Sequence, residues 1–439
     1  MFVFDSKGLT KIQTIVIIVI IIGFVGFGLL FILQNNPAAS VETIKIGILA
    51  DLDNFRGSAA LNGAILAAEQ INKEGGILGK KFEIVSEDSD DEQTTADQQI
   101  AANALLKLIT VDKADFILNN GYAGIVLPHQ DICFEHKKIM FSLSTFSDTL
   151  TERVRDDYDR YKYFFRGSIG NETAAVLGNL DSFLTVRNYT GFNKLAFLWF
   201  DSSTSRSLYS RLSELLLENN FEIVYHSFFP LNTIDFSSYF SAIEASGAQI
   251  INPFTPLGSI IVNEWSSRQT PSILWGYLGQ AQELNFWETS EGRVESVTCI
   301  AYPVTAGYAL TEKTLPTRDA FLDRWGDVPT IYGAAAYDIV RFVIPEAIIN
   351  AGSTETDVVI EALEVIDVET SSASHFKYTA SHDLMIGENV NDPEGDYLVV
   401  CSFQWQNGNM IPMAPNKIRE DAGASYIYPD WPGPWDNIS

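Results

Sequence analysis

The chain has 439 residues, 46% of them apolar and 19% charged, which suffices for two or three cores of ordinary domain size and excludes a disordered or fibrous protein. Lys and Arg number 29 against 56 Asp and Glu, a formal charge of −27 that repels phosphate backbones and excludes nucleic acid as a partner. Cys133, Cys299 and Cys401 lie far apart with no CxxC or Cys/His spacing, so neither a disulfide scaffold nor a zinc site is expected.

The first element is Ile15 to Leu33, 19 residues without a charge or a proline. At about 1.5 Å per residue it approaches the roughly 30 Å hydrocarbon core of a bilayer, which predicts a transmembrane helix. It runs into a polar linker, Gln34 to Pro37, instead of a small-residue cleavage site. Lys7 and Lys11 precede it and no Lys or Arg follows before Lys45, so the N-terminus is expected inside and everything from about Ser40 outside the cell membrane, in single-pass topology.

From Thr43 short β-branched runs alternate with amphipathic segments, the pattern of βαβ units on a mostly parallel sheet. Predicted strands are Thr43 to Ala50, Phe82 to Val85, Phe116 to Leu118 and Lys138 to Ser142. Helices lie between them over Ser58 to Lys73, Gln93 to Ile109 and Tyr122 to Glu135. A second series follows Arg166-Gly167-Ser168, with strands at Lys194 to Phe200, Phe221 to Ser227, Gln249 to Ile251 and Ser272 to Leu274. Its helices are Glu172 to Thr185, Thr204 to Asn219, Ser237 to Ala245 and Gly258 to Ser267; Leu208, Leu212, Leu215 and Leu216 share one face of the second. The chain becomes helical again over Arg318 to Trp325, Gly333 to Asn350 and Thr356 to Val365, and ends in β-hairpins from His375 and an irregular tail. This predicts an N-terminus over 1–14, a membrane helix over 15–33 and a linker over 34–42. Lobe one takes 43–167 and 306–366, lobe two 168–305 and 367–412, and the tail 413–439 packs over a lobe.

Several of these residues carry a resemblance. Ile71 to Val85, with Gly75-Gly76-x-x-Gly79 between helix and strand, is followed by Glu87-Asp88, Leu150-Thr151, Phe165-Arg166, Ala336-Tyr337-Asp338 and Phe403-Gln404-Trp405. In that order they resemble type I periplasmic binding proteins of the leucine/isoleucine/valine-binding kind, the solute receptors of amino-acid and amide ABC importers, over about Ile44 to Pro412. The resemblance implies an α/β fold of two Rossmann-like lobes with a hinge, here carried behind a transmembrane helix. It also implies a small-molecule ligand, an ABC permease as partner, and neither catalysis nor a cofactor. Separately, Lys7-Gly8-Leu9-Thr10 before the apolar run resembles the prepilin-type (class III) signals of many archaeal surface proteins, cut after the Lys-Gly pair; a plain uncleaved anchor is the alternative.

In open α/β sheets ligands collect beyond the carboxyl ends of strands. Phe55 and Arg56, in the loop after the first strand, are therefore expected at the cleft. By the resemblance, Tyr122 and Ala123 occupy a turn whose hydroxyl and amides commonly bind a ligand carboxylate. Ser144 stands in a backbone-contact position, and Phe146 where a threonine hydroxyl would be. In lobe two the stacking aromatic aligns near Thr204, with Trp199 close by, and the acid that holds an α-ammonium near Tyr277, with Trp275 beside it. Aromatic or small groups thus replace hydroxyls and a carboxylate. Because a buried ammonium without a carboxylate is costly, this favours an amide, planar or partly apolar ligand, unless the aromatics only pack the lobes.

The remaining signals point to no other chemistry. Glu87 to Glu92 holds five acids in six residues but lacks the glycine and distant glutamate of a calcium loop. No histidine pairs at HExxH spacing, and neither a Gly-x-Ser-x-Gly elbow nor a P-loop is present, so no enzyme is expected. The leading expectation is a membrane-anchored extracytoplasmic solute-binding protein for a small polar ligand of the amino-acid, amide or urea kind. The alternative is a surface assembly protein that displays this fold on a pilin-like N-terminus.

Overall fold

The computed structural model describes residues 42–90, 95–168, 170–386, 397 and 400–438. The segment expected to span the membrane, Ile15 to Leu33, and the Lys7-Gly8 pair lie outside the described residues. Among the described residues no helix is long and apolar enough to cross a membrane.

The first lobe is built on five strands: β1 (Thr43–Ala50), β2 (Lys81–Asp88), β3 (Phe116–Asn119), β4 (Ile139–Ser142) and β5 (Phe164–Arg166). They pair in parallel in the order β2-β1-β3-β4-β5. Strands buried on both faces read as continuous apolar runs, which is why Ile-Gly-Ile-Leu-Ala and Phe-Ile-Leu were legible. The helix after β1 begins at Phe55, three residues before the expected Ser58, because Asn54 caps it by accepting from the Arg56 and Gly57 N–H groups. Its Gly63 lies against the helix Ile331–Asp338, where a Cβ would come within 2.1 Å of the Gly333 carbonyl oxygen. That close approach draws the late helix into the first lobe.

The second lobe has seven strands: β6 (Lys194–Phe200), β7 (Glu222–Phe229), β8 (Ile250–Thr255), β9 (Ile273–Leu278), β10 (Thr298–Ala301), β11 (Cys401–Gln406) and β12 (Asn409–Ala414), in the order β12-β11-β10-β9-β8-β6-β7. β6 to β10 are parallel, and β11 joins β10 antiparallel. A tight turn at Asn407 and Gly408, both at positive φ, links β11 to β12. β8 and β9 each run four residues past their expected ends. Pro253 and Gly276 read as breakers, yet they face each other across the ladder, where a Cβ on Gly276 would sit 2.3 Å from the Pro253 carbonyl oxygen. Asn252 supplies the bond that Pro253 lacks the N–H to make: its Nδ2 donates to the Trp275 carbonyl at 2.6 Å while its Oδ1 accepts from Trp199 Nε1 at 2.8 Å.

The lobe boundaries differ from expectation over two segments. Residues 367–384, expected in lobe two, pack on the first: Ala373, Phe376, Tyr378 and Leu384 belong to the same cluster as Ile46, Phe141 and Ile339. The buried carboxylate of Asp338 accepts from the Ser371 N–H at 3.1 Å and fastens this return. The segment 306–328 serves both cores, Phe321 in the first and Ala306 and Val328 in the second. The chain therefore passes between lobes after Arg166, after Ala301 and between Leu384 and Cys401. The tail lies over the second lobe, where Trp435 is buried and Trp431 donates to the Thr270 carbonyl at 2.9 Å.

At the first crossing Arg166, fully buried, donates from Nε to Asp383 Oδ1 at 2.5 Å and from its two other nitrogens to the carbonyls of Thr145 and Ser147. Thr151 and Asn171 donate to the other Asp383 oxygen. This strut sets the loop after β4 against the chain that leaves for lobe two.

Candidate ligand-binding site

The loops beyond the carboxyl ends of both parallel sheets face each other and enclose a cavity of about 140 Å³. Seven of the nine expected residues line it: Arg56, Tyr122, Ala123, Ser144, Phe146, Thr204 and Tyr277. β1 delivers Arg56 through the Asn54 cap, and β3 delivers Tyr122 and Ala123, which open the helix Ala123–His136 with no side chain capping its amides. β4 delivers Ser144 and Phe146. The Ser144 hydroxyl donates to the Gly121 carbonyl at 3.0 Å, so its proton holds two site loops together.

Two expected residues lie elsewhere. Trp275 is 1% exposed in the second-lobe core, its indole N–H donating to Ser182 Oγ at 2.6 Å and its ring stacked on Tyr426. It shares a strand face with Tyr277 but sits two residues back from the carboxyl end, beneath the tail, and only the strand end reaches the cavity. Phe55 stands behind the wall, its ring edge-on to Tyr332 at 6.1 Å and so close to Gly279 that a Cβ there would lie 2.3 Å from its Cζ.

The rings at the interlobe seam form a continuous chain. Tyr122 of lobe one meets Phe200 of lobe two at 6.4 Å, Phe200 stacks on Phe254 at 5.5 Å, and Phe254 meets Tyr277 at 5.5 Å. The Tyr277 hydroxyl is 2.7 Å from that of Tyr332, back in lobe one. Burial and the neighbouring Tyr332 push the Tyr277 hydroxyl well above its ordinary pKa, so it stays neutral. The Arg56 guanidinium lies 4.0 Å over the Tyr122 ring and 5.8 Å from the Tyr332 ring.

Sequence reasoning missed Phe200, Phe254 and Tyr332, and also Asp181, Ser182 and Asn179 on the helix Glu172–Thr190. Phe254 was hidden by the proline before it. Tyr332 was hidden by its distance in sequence, since the resemblance marked only Ala336-Tyr337-Asp338 of that helix. Asp181 supplies a carboxylate to the wall from an element that the strand-end rule does not address. Cys401 lines the cavity as well, and burial holds its thiol protonated. Among the described residues no group of His, Cys, Asp and Glu is placed to hold a metal ion.

The sequence profile of a family described as periplasmic binding protein matches residues 43–388. "Leu/Ile/Val-binding protein homolog 7" of Brucella abortus (strain 2308) is 21% identical over 418 residues, which cover 88% of this chain and 94% of that protein. The substrate-binding protein LivJ of Streptococcus pneumoniae, solved in complex with isoleucine, superposes with a TM-score of 0.66 at 18% identity, over 84% of this chain and 100% of the other. A solute-binding protein of R. palustris, solved in complex with benzoate, also has a TM-score of 0.66, at 13% identity over 84% and 95%.

Proposed function

The chain belongs to the periplasmic binding protein family, and on that premise we propose that it is a membrane-anchored solute receptor that captures a small molecule between its lobes and passes it to an ABC permease. The observation that carries this reading is the cavity at the carboxyl ends of two parallel sheets, walled by Arg56, Tyr122 and Phe146 on one side and Phe200, Phe254 and Tyr277 on the other. Release is a hinge opening about the three interlobe crossings. Opening would separate Tyr122 from Phe200, part the Tyr277 and Tyr332 hydroxyls, and break the bond from the Ile331 N–H to Gln282 Oε1. A ligand that touches both walls replaces the contacts that would otherwise have to hold the lobes shut. The relatives named above support a ligand of amino-acid or aromatic-acid size. The apolar run Ile15 to Leu33 supports anchorage with the lobes outside the cell.

The full chain, purified in detergent, should gain thermal stability with a member of a panel of amino acids, amides, urea and small aromatic acids, because a ligand of the native state raises the unfolding midpoint. A panel that leaves the midpoint unmoved throughout refutes capture. Deleting residues 1–39 should move the protein from the membrane to the soluble fraction; retention on membranes refutes the anchor.

A further inference from the structure

The five first-lobe strands are parallel, so their amino ends share one edge of the lobe, opposite the carboxyl ends that face the cavity. Six lysines stand within three residues of those ends: Lys80 and Lys81 at β2, Lys113 before β3, Lys137 and Lys138 before β4, and Lys162 before β5. Exposed apolar side chains stand among them. Leu78 precedes β2, Val111 β3, Phe134 β4 and Tyr158 β5, and Val111 is 66% exposed. The helix Thr356–Glu364 and the turn before it are tied to the same edge. Lys80 Nζ donates to Thr354 Oγ1 at 3.4 Å, Thr356 Oγ1 donates to the Lys137 carbonyl at 3.2 Å, and Lys162 pairs with Asp357 at 2.7 Å. That helix adds the exposed Val358.

Lysine at a helix C-terminus is ordinary, since the dipole favours a cation there. The second lobe has the same succession of helix ends and strand starts, yet within five residues of the starts of β6 to β10 the only lysine is Lys194. The arginines there, Arg268 and Arg293, are paired with Glu244 and Glu291. Leu217 is the one exposed large apolar residue at such a position among the described residues. The feature therefore belongs to one lobe and not to the fold. Glu74, Asp112, Asp115 and Glu135 lie between the first-lobe lysines, so this edge carries about as many cations as anions in a chain of net charge −27.

β1 opens at Thr43 on the same edge, and nine residues, Gln34 to Glu42, separate it from the apolar run that ends at Leu33. Fully extended, nine residues span about 30 Å at most. An anionic bilayer repels the acidic remainder of the surface and tolerates this edge. Lysine stems lie along apolar surface and carry their ammonium groups to lipid phosphates, while exposed apolar side chains enter the boundary between headgroups and acyl chains.

We propose that the amino-end edge of the first lobe rests on the anionic lipid surface of the anchoring membrane. Leu78, Val111 and Phe134 enter the headgroup layer and the lysines meet lipid phosphates, which leaves the cavity on the far side open to solvent. This rests on the anchorage reading above and adds the orientation of the lobe.

The test places the full chain in nanodiscs of equal parts phosphatidylcholine and phosphatidylglycerol, with a nitroxide on a fraction of the headgroups. Cys133, Cys299 and Cys401 are buried, so a fluorophore on Val111→Cys or on Ile234→Cys reports one position. Ile234 is 85% exposed in the second lobe, between β7 and the helix Ser237–Ser246. The Val111 probe should be quenched severalfold more than the Ile234 probe, and Lys137→Glu/Lys138→Glu in the Val111→Cys chain should weaken that quenching. Equal quenching of both probes, quenching of neither, or a charge reversal without effect would each overturn the proposal. Quenching of neither, with paired chains on sizing, would give the edge to a second copy of the chain instead. Chains that fail to enter the discs refute the anchor and the orientation together; chains that enter with the Val111 probe unquenched refute the orientation alone.

Discussion

Arg166 and Arg56 are both buried in the first lobe, and their surroundings differ in kind. Arg166 is enclosed by oxygen: the Asp383 carboxylate and the carbonyls of Thr145 and Ser147. Arg56 lies over the Tyr122 ring, near the Tyr332 ring, and lines the interlobe cavity. A buried guanidinium whose donors meet a carboxylate and carbonyls is a strut that joins loops distant in sequence. One set over aromatic faces at a cavity wall stands where the two lobes meet. The contrast separates the part of the lobe that must stay rigid from the part that must respond.

The largest effect should come from breaking the strut. Asp383→Ala leaves the Arg166 charge buried without its carboxylate and frees the donors of Thr151 and Asn171, which should cost about 3–5 kcal/mol in urea unfolding. A loss below about 1 kcal/mol would mean that the two arginines are not so different after all.

The same contrast extends to groups that shed their charge when buried. His129 accepts from Asn119 at Nδ1, 2.9 Å away, and burial lowers its pKa from 6.5 to about 4. The unfolded chain therefore binds a proton that the folded one refuses, and this contribution to stability is lost as pH falls from 6.5 through 4. Asp338 is opposite: burial raises it from 3.8 to about 6, so its contribution is complete below 3.8 and lost as pH rises through 6. Between pH 7 and 4.5 each amounts to about 2 kcal/mol, and in the parent they offset. On acidification across that window His129→Gln should gain about 2 kcal/mol relative to the parent and Asp338→Asn should lose as much, read from urea midpoints at the two pH values. Equal pH slopes in the two variants would sink this account.

On the responsive side, Gly279→Ala places a methyl against the Phe55 ring across the seam and against the Pro256 backbone of its own lobe. It should weaken ligand affinity about tenfold by disfavouring closure, with partial restoration in Phe55→Leu/Gly279→Ala. Unchanged affinity would show that this edge of the seam does not bear on closure. The smallest effect belongs to Tyr277→Phe, which removes the bond to the Tyr332 hydroxyl and should cost about 1 kcal/mol. Tyr332→Phe should match it in a calorimetric scan if the pair acts as one bond.

Much of the fold was legible because strands buried on both faces are apolar throughout and their helices keep the 3.6 period. Strands β1 to β4 and the helices Ala123–His136 and Ser237–Ser246 fell within a few residues of expectation, while the short β5 was not foreseen. The reading faltered where side chains replace backbone bonds. β8 and β9 continue past Pro253 and Gly276 because Asn252 completes the ladder, and no local rule connects these residues across a gap of about twenty positions. Of the site, the loops that follow strands were found and the residues behind them were not. Trp275 and Tyr277 have the same type, strand and face, and only the tail folded over the former separates core from cavity wall.

Composition, periodicity and turn chemistry thus determined the α/β class, the succession of units and the loops that stand at the strand ends, because each of these depends on neighbours a few residues apart. Where the chain crosses between lobes, which aromatic rings reach the cavity, and that Arg56 meets Tyr332 while Arg166 meets Asp383 were decided by packing. Those pairings join positions more than 200 residues apart, and their energies arise from desolvation and geometry that exist only once the first lobe has folded.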